Sequence, residues 1–273
     1  MDLSILIVHY NTPGLLRQTL KGIRLVAPKL SYEVIVVDNN PSMRVAEAVR
    51  REFPEVRLIV PDRHLGFGGG MNRAMGEATG RYLLVFNPDI AVFSGALEEL
   101  VRFMDASPEV GMCGPQLLRP DGAVQHSCFR FMAPEVIAWR RLPWLAPLFP
   151  RARRALDAYV MAEWDHTESR DVDYMLGAAL CVRRTAYEQV GGFDPGFFVY
   201  FEDQDWCRRF WEAGWKVTYH PGAKLVHYHR RETAEGSLWR QLMNPLTRIQ
   251  LRSALYYYKK WKGKSLRPSG PQA

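Results

Sequence analysis

The sequence predicts an α/β fold, an open and mainly parallel sheet with helices on both faces and a smaller second half. Three observations lead there. Short runs rich in Val, Ile and Leu alternate with helically spaced segments through the first half of the chain. Those runs are almost continuously apolar, as expected of strands covered on both sides. Polar residues then gather just beyond the runs, at the edge where open α/β sheets bind ligands.

The elements follow in order. Leu3–His9, Glu33–Asp38, Arg57–Val60 and Tyr82–Asn87 read as strands. Gly14–Val26, Arg44–Phe53 and Gly69–Thr79 carry helical spacing between them. Right-handed crossovers join such units. From Ser127 to Arg170 the periodicity is weak and Pro, Trp and Arg are frequent. Beyond it, Tyr174–Val182 is strand-like and Thr185–Val190 is a short helix. Asp203–Ala213 is a helix with Trp206, Phe210 and Ala213 on one face. Trp215–His220 and Lys224–His229 are expected to close the sheet, and Thr247–Lys262 forms a last, amphipathic helix.

The chain has 273 residues, 47% hydrophobic and 24% charged, the balance of a globular protein. No window reaches the ~20 apolar residues that a membrane span needs. Leu3–Val8 follows Asp2 without a basic flank and is short for a signal peptide, so export is not expected. Cys113, Cys128, Cys181 and Cys207 are widely spaced and read as free, buried thiols.

The net charge of +7 is uneven. Arg240, Arg248, Arg252, Lys259, Lys260, Lys262, Lys264 and Arg267 lie in a C-terminal stretch without acids. Arg140, Arg141, Arg151, Arg153 and Arg154 mingle with Trp139, Trp144, Leu145 and Phe149. Such patches serve as solvated surface, or meet nucleic acid or an anionic membrane. In the last helix Leu251, Ala254, Tyr258 and Trp261 share a face opposite Arg248, Arg252 and Lys259. That face suits either packing on the domain or lying in a membrane interface.

Several polar groups suit the transfer of a group from a diphosphate. His9-Tyr10-Asn11 follows the first strand, Asp38-Asn39-Asn40 the second and Asn87-Pro88-Asp89 the fourth. Turn chemistry alone also favours such residues. Gly66, Gly69 and Asn72 belong to a glycine-rich loop leading into a helix, where backbone can approach an anion. Asp89, with His227 or His229 from a late strand, could hold a divalent cation. Glu202, Asp203 and Asp205 sit behind a wall of aromatic residues, an environment that raises a carboxyl pKa toward the range of a general base.

In this order and spacing the motifs resemble family 2 of the inverting glycosyltransferases, and within it the rhamnosyltransferase-like branch. The marks are Val8-His9-Tyr10-Asn11, Val36-Val37-Asp38-Asn39, Leu65-Gly66-Phe67-Gly68 with Asn72, and Phe86-Asn87-Pro88-Asp89. Gly177-Ala178, Gly192-Phe193-Asp194, Phe197-Phe198-Val199-Tyr200-Phe201-Glu202-Asp203, Pro221 and His227 complete the set. The resemblance implies a GT-A-type fold. Residues 1–115 would be its nucleotide-sugar-binding half and 116–236 its acceptor-binding, catalytic half, with 237–273 a basic helix and tail. It implies Asp38 and the Tyr10–Asn11 turn at the uracil or thymine end of the donor. It implies Asp89 as the metal-binding Asp, for Mg2+ or Mn2+, Asp203 as the catalytic base with Glu202 beside it, and His227 as a further metal or diphosphate contact.

Asn87 stands where many members carry a first Asp, which loosens the expectation of strict metal dependence. The QxxRW motif of processive members is absent, so single sugars are expected to be added. The implied partners are a nucleoside-diphosphate sugar, leaning to dTDP-L-rhamnose with UDP-sugars open, and a glycan or polyprenyl-linked acceptor of cell-surface polysaccharide synthesis. The implied place is the cytoplasm, with peripheral attachment to the inner face of the membrane.

Two other classes compete. A dinucleotide-dependent oxidoreductase should carry its glycine fingerprint after the first strand, where this chain has His9-Tyr10-Asn11-Thr12-Pro13. A nucleic-acid-binding protein accounts for the net charge but not for carboxylates clustered at 202–205, and a non-catalytic nucleotide-sugar binder does not account for Asp89 together with Asp203. Nucleic acid is therefore not an expected partner.

Overall fold

The structure, a computed structural model, describes residues 1–26, 28–40, 45–142, 144–228 and 244–264. Its first half runs β1 (Leu3–His9), α1 (Pro13–Val26), β2 (Tyr32–Asp38), α2 (Val45–Glu52), β3 (Arg57–Ile59), α3 (Gly66–Met75) and β4 (Tyr82–Phe86). Alternation along β1 decides its two faces. Leu3, Ile5 and Ile7 join Leu16, Leu20 and Ile23 of α1 in one core. Leu6 and Val8 join Met71, Ala74 and Met75 of α3 in the other. Each such side chain contributes roughly 1.5–3 kcal/mol on burial, so both faces must be covered.

The chain continues through β5 (Ile90–Val92), α4 (Ala96–Ala106), β6 (Val110–Leu118), β7 (Val124–Gln125), β8 (Cys128–Phe129), α5 (Pro134–Arg141) and α6 (Pro150–Tyr159). It ends with β9 (Arg170–Asp171), β10 (Tyr174–Met175), β11 (Ala179–Arg183), α7 (Arg184–Val190), α8 (Glu202–Glu212), β12 (Lys216–His227) and α9 (Pro245–Lys260). The main sheet has the order β3-β2-β1-β4-β11-β6-β12-β5. Pairing is parallel across β3-β2-β1-β4 and between β6 and β12, while β11 is antiparallel to both β4 and β6. The 115/116 boundary falls inside β6, so both halves share one sheet.

Two expectations change in detail, and one strand was not expected. Tyr174–Val182 is not one strand, because a turn at Leu176–Ala178 separates β10 from β11. The two closing strands are one, β12, with a register shift between His220 and Lys224 where Pro221 and Gly222 interrupt the ladder. β6 is central to the sheet but carries Gly111, Gly114 and Pro115, which hide it from strand propensity. All four cysteines are free and buried, as expected.

The last helix packs on the second half. Asn244 caps it, its side chain accepting from the Leu246 amide, with Pro245 at the first helical position. Ala254 and Trp261 of the expected apolar face are buried and Tyr258 is half-buried, but Leu251 faces solvent and Tyr257 is buried in its place. The face is turned because polar ties fix it. Trp261 Nε1 donates to Asp205 Oδ1 at 2.8 Å, Lys260 pairs with Asp205 and Asp194, and Tyr258 donates to Met132 O at 2.8 Å. Arg44, His229, Arg240, Arg267 and the tail from 265 lie outside the described residues.

Candidate active site

The parallel register brings the strand tips together. His9 lies opposite Asp38 on neighbouring strands, and Ile7 opposite Phe86. His9 and Asp38 are fully buried, with Nδ1 3.0 Å from Asp38 Oδ1. Thr12 N donates to His9 Nε2 at 2.9 Å. That leaves the ring proton on Nδ1, pointing at the carboxylate. Asp38 Oδ1 also accepts from Asn40 N at 3.2 Å, while Oδ2 is buried and accepts from none of the described residues. A buried acceptor without a donor is costly unless a ligand supplies one.

Tyr10 is half-exposed beside this pair and meets the His64 ring edge-on at 4.2 Å, with His64 stacked on Phe198 at 5.0 Å. Asn11 takes a left-handed conformation, φ 59°, and its Oδ1 accepts from Asn40 Nδ2 at 2.6 Å.

The glycine-rich segment is not a loop before a helix. It is the first turns of α3. Gly66 has φ +75°, and a Cβ there would come within 2.4 Å of Phe198 O. A Cβ on Gly70 would meet Val8 at 2.9 Å. These glycines let α3 press against β1 and against the segment before α8. Asn39 serves the same joint, its Nδ2 donating to Gly66 O at 2.7 Å and its Oδ1 accepting from Leu65 N. Asn72 bridges to the second half, exchanging 2.8 Å hydrogen bonds with both backbone groups of Phe193. The geometry thus gives Asn39, Asn72, Gly66 and Gly70 the work of holding α3 against β1 and the second half, while Gly69 meets only Leu65 of its own segment.

Sheet register also explains a pair that sequence distance conceals. β5 runs antiparallel to β12 with His227 opposite Ile90, and Tyr228 N donates to Asp89 O at 2.9 Å. Asp89 Oδ1 is buried, accepts no hydrogen bond from the described residues and stands 3.3 Å from His227 Nε2. His227 Nδ1 is 3.2 Å from Gln125 Oε1, which fixes the ring. No cluster of three or more His, Cys, Asp or Glu side chains suited to a metal occurs among the described residues. One carboxylate and one imidazole fit a cation that takes its other ligands from phosphate and water, as Mg2+ commonly does.

The carboxylates lie at the start of α8. Tyr200 and Phe201 both have φ 70°, a strained conformation for bulky residues. That kink delivers Glu202 and Asp203 into a cavity of about 750 Å³, also lined by Asn87, Gly177 and His227. Asp203 Oδ2 accepts from Gly177 N at 3.1 Å and Oδ1 from Gln204 N at 2.8 Å. Burial pushes the Asp203 carboxyl above its ordinary range, and these amides hold it back. Burial first, and then the charge of Asp203, push Glu202 up to about 8 against the one backbone hydrogen bond that lowers it, and its Oε2 is buried without a donor among the described residues. The amides of Gly177 and Gln204 favour the anion at Asp203, and the charge of Asp203 disfavours a second one at Glu202. Asp205, the third member, is fully buried and paired with Arg209 and Lys260 away from the cavity. It is a structural anchor.

The matched family decides the class. The profile of Glycosyl transferase family 2 covers residues 4–170. This chain belongs to that family. The glycosyltransferase is 31% identical over 242 residues to the N-acetylglucosaminyl-diphospho-decaprenol L-rhamnosyltransferase of Mycobacterium tuberculosis, covering 85% of this chain and 77% of that one. It is 24% identical to the rhamnosyltransferase WbbL of Escherichia coli K12, over 82% of each chain.

Among solved structures, GalNAc-T7 with UDP, GalNAc and Mn2+ aligns with a TM-score of 0.62 at 15% identity, over 96% of this chain and 49% of that one. The mannosyltransferase PcManGT of Pyrobaculum calidifontis, in complex with GDP-Man and Mn2+, aligns at 0.58 and 17% identity, over 97% and 76%. These likenesses establish the GT-A fold.

One wall of the cavity had no counterpart among the expected site residues. Phe129, Met132, Trp139, Arg140, Arg153, Leu156 and Tyr159 line it, on or beside β8, α5 and α6. The sequence signal was the mixture of Trp and Arg in a weakly periodic stretch, read there as surface.

Proposed function

We propose that this glycosyltransferase transfers a single sugar, with inversion, from a nucleoside-diphosphate sugar to a hydroxyl of a lipid-linked glycan acceptor. The observation that carries the reading is the sharing of one cavity by Asp203 and by the His227 that faces Asp89. Asp38 Oδ2 is suited to the ring N–H of uracil or thymine, and the exposed Tyr10 ring to the face of that base. The names of the M. tuberculosis and E. coli relatives favour rhamnose as the sugar, and the first favours a diphospho-polyprenol acceptor; dTDP as the carrier rests on the resemblance to the rhamnosyltransferase-like branch.

The chemistry balances on these residues. Asp203 accepts the proton of the acceptor hydroxyl while that oxygen bonds to the anomeric carbon. The bond from that carbon to the diphosphate breaks, and its electron pair leaves with the nucleoside diphosphate. Neutral Glu202 keeps a second negative charge away from the forming bond. Asp89 and His227 would hold Mg2+ or Mn2+, which would supply neutralisation of the leaving diphosphate, in keeping with the Mn2+ named for the two solved neighbours. Attack from the face opposite the leaving group inverts the anomeric centre.

A meeting with a lipid-linked acceptor calls for attachment at a bilayer. No helix among the described residues is long and apolar enough to cross a membrane. Leu251 and Leu255 of α9 are exposed among Arg248, Arg252 and Lys259, and Trp144, Leu148 and Phe149 are exposed near Arg151 and Arg154. Arg141 Nη2 donates to Gln250 Oε1 at 2.7 Å, joining the two groups into one face. Reversible binding of that face to anionic lipid follows.

The test is a thermal-shift panel of nucleotide sugars with and without Mn2+ or Mg2+, followed by proton NMR of the product. A donor at 100 times its Kd stabilises by ~2.7 kcal/mol. Retention at the anomeric carbon would overturn the mechanism.

A further inference from the structure

The cavity has a second end. Away from Asp89 and His227, its lining passes to Arg140 on α5 and Arg153 on α6, with Asp157 as the carboxylate of that end. Asp157 is 3.8 Å from Arg153 Nε, so it balances one guanidinium loosely. Arg141 lies next in sequence, and its guanidinium is held below its ordinary range by burial and then by the charge of Arg140. Cations crowd this mouth in excess of anions.

An aromatic floor connects the mouth to the carboxylates. Arg140 Nη1 donates to Tyr159 Oη at 3.2 Å, and its guanidinium lies over the Tyr159 ring at 5.3 Å. The Phe129 and Tyr159 rings stack at 4.9 Å, and the Tyr159 and Tyr174 hydroxyls are 2.5 Å apart. Tyr174 is close enough for the charge of Asp203 to act on it. Flat rings between a cationic mouth and a pair of carboxylates suit a sugar whose reducing end carries phosphate.

We propose that Arg140 and Arg153 form a subsite for the diphosphate of a lipid-linked acceptor, distinct from the donor diphosphate site at Asp89 and His227. The acceptor sugar then lies on the Phe129–Tyr159 stack with a hydroxyl toward Asp203, and the lipid leaves past Leu148 and Phe149. Arginine is suited to this because its planar fork pairs with phosphate oxygens two at a time. The subsite deepens the proposed transfer and rests on that reading for its sugar, but its affinity for a lipid diphosphate can be measured without any transfer.

The probe is farnesyl diphosphate, titrated into the full chain with and without saturating dTDP and Mn2+, and compared with farnesol. Expected are binding that persists with nucleotide present, at least tenfold weaker binding of the diphosphate in Arg140→Ala and in Arg153→Ala, and no change in Arg50→Ala, exposed on α2 and outside the cavity. Arg140→Lys should restore part of the loss. Farnesol affinity should be the same in all variants. Displacement of farnesyl diphosphate by nucleotide, or equal affinity across the variants, overturns the subsite. Loss of binding to phosphatidylglycerol vesicles with unchanged farnesyl diphosphate affinity assigns the arginines to the bilayer surface and also overturns it. Failure of dTDP and UDP to bind would instead fault the donor reading, leaving the farnesyl diphosphate result to stand by itself.

Discussion

The His9–Asp38 pair and the groups at Asp89, His227, Glu202 and Asp203 are built by different means. His9 and Asp38 end adjacent parallel strands whose register alone sets them side by side. In the second set nothing so regular operates. Asp89 meets His227 through an antiparallel pairing of β5 with β12, residues 138 apart by subtraction of their numbers. Glu202 and Asp203 are aimed by two strained residues, and α9 fastens α8 from outside. Regular repeats position groups cheaply, whereas irregular backbone needs a supporting network. The His9–Asp38 pair should therefore tolerate perturbation of its neighbours better than the second set.

The sharpest break is at Asp203. Asp203→Asn keeps the size but only one of the two backbone contacts, since its amide nitrogen cannot accept the other N–H, and it loses the base; turnover should fall by about 10²–10⁴-fold while donor binding, read by thermal shift, persists. Near-normal turnover would remove Asp203 from the role.

Asp205→Ala tests the support rather than the chemistry. It leaves Lys260 and Arg209 without their buried carboxylate, a loss of about 3–5 kcal/mol in stability. Urea melts should show it, with residual activity proportional to the folded fraction. A loss of activity in fully folded protein would mean that Asp205 acts in the cavity after all.

Asp89→Ala should weaken nucleoside-diphosphate binding about tenfold or more when Mg2+ or Mn2+ is present and little in EDTA, while His227→Ala does so less, as expected when one of a few metal contacts is lost. Binding and turnover indifferent to EDTA would sink the metal assignment.

The pH dependence gives a smaller effect. Glu202 shifts from an ordinary 4.5 to about 8 in the folded chain. Between those values the native state binds more protons at this group than the unfolded state, so the contribution of Glu202 to stability is fully present below pH 4.5 and is lost as pH rises through about 8. Glu202→Gln should flatten that decline, seen as a higher Tm than the parent at the alkaline end. Parallel Tm profiles would show that Glu202 titrates normally.

The smallest effect belongs to the outer face. Arg248→Ala or Arg252→Ala should each weaken co-sedimentation with phosphatidylglycerol vesicles by about 1 kcal/mol at most, and high salt should do the same. No binding at low salt would leave α9 a purely structural helix.

The sequence by itself determined the α/β layout, the strand tips with His9, Asp38 and Asn87, and the carboxylate cluster at Glu202–Asp203. Those features ride on apolar runs and turn residues close together in the chain, and local pattern is what periodicity reports. It also held the mixture of Trp and Arg around Trp139–Arg154 without saying where that mixture went. Only the tertiary structure decided that Arg140 and Arg153 line the cavity, that Asn39 and Asn72 brace the glycine helix, and that Asp205 anchors α9 while its neighbour Asp203 faces the cavity. The reason is geometric. Two residues apart on a helix, side chains point about 200° from each other, so one faces the cavity and the other the core. Which one does so depends on the angle at which α8 enters, fixed by the kink at Tyr200–Phe201 and by contacts with α9 from far along the chain.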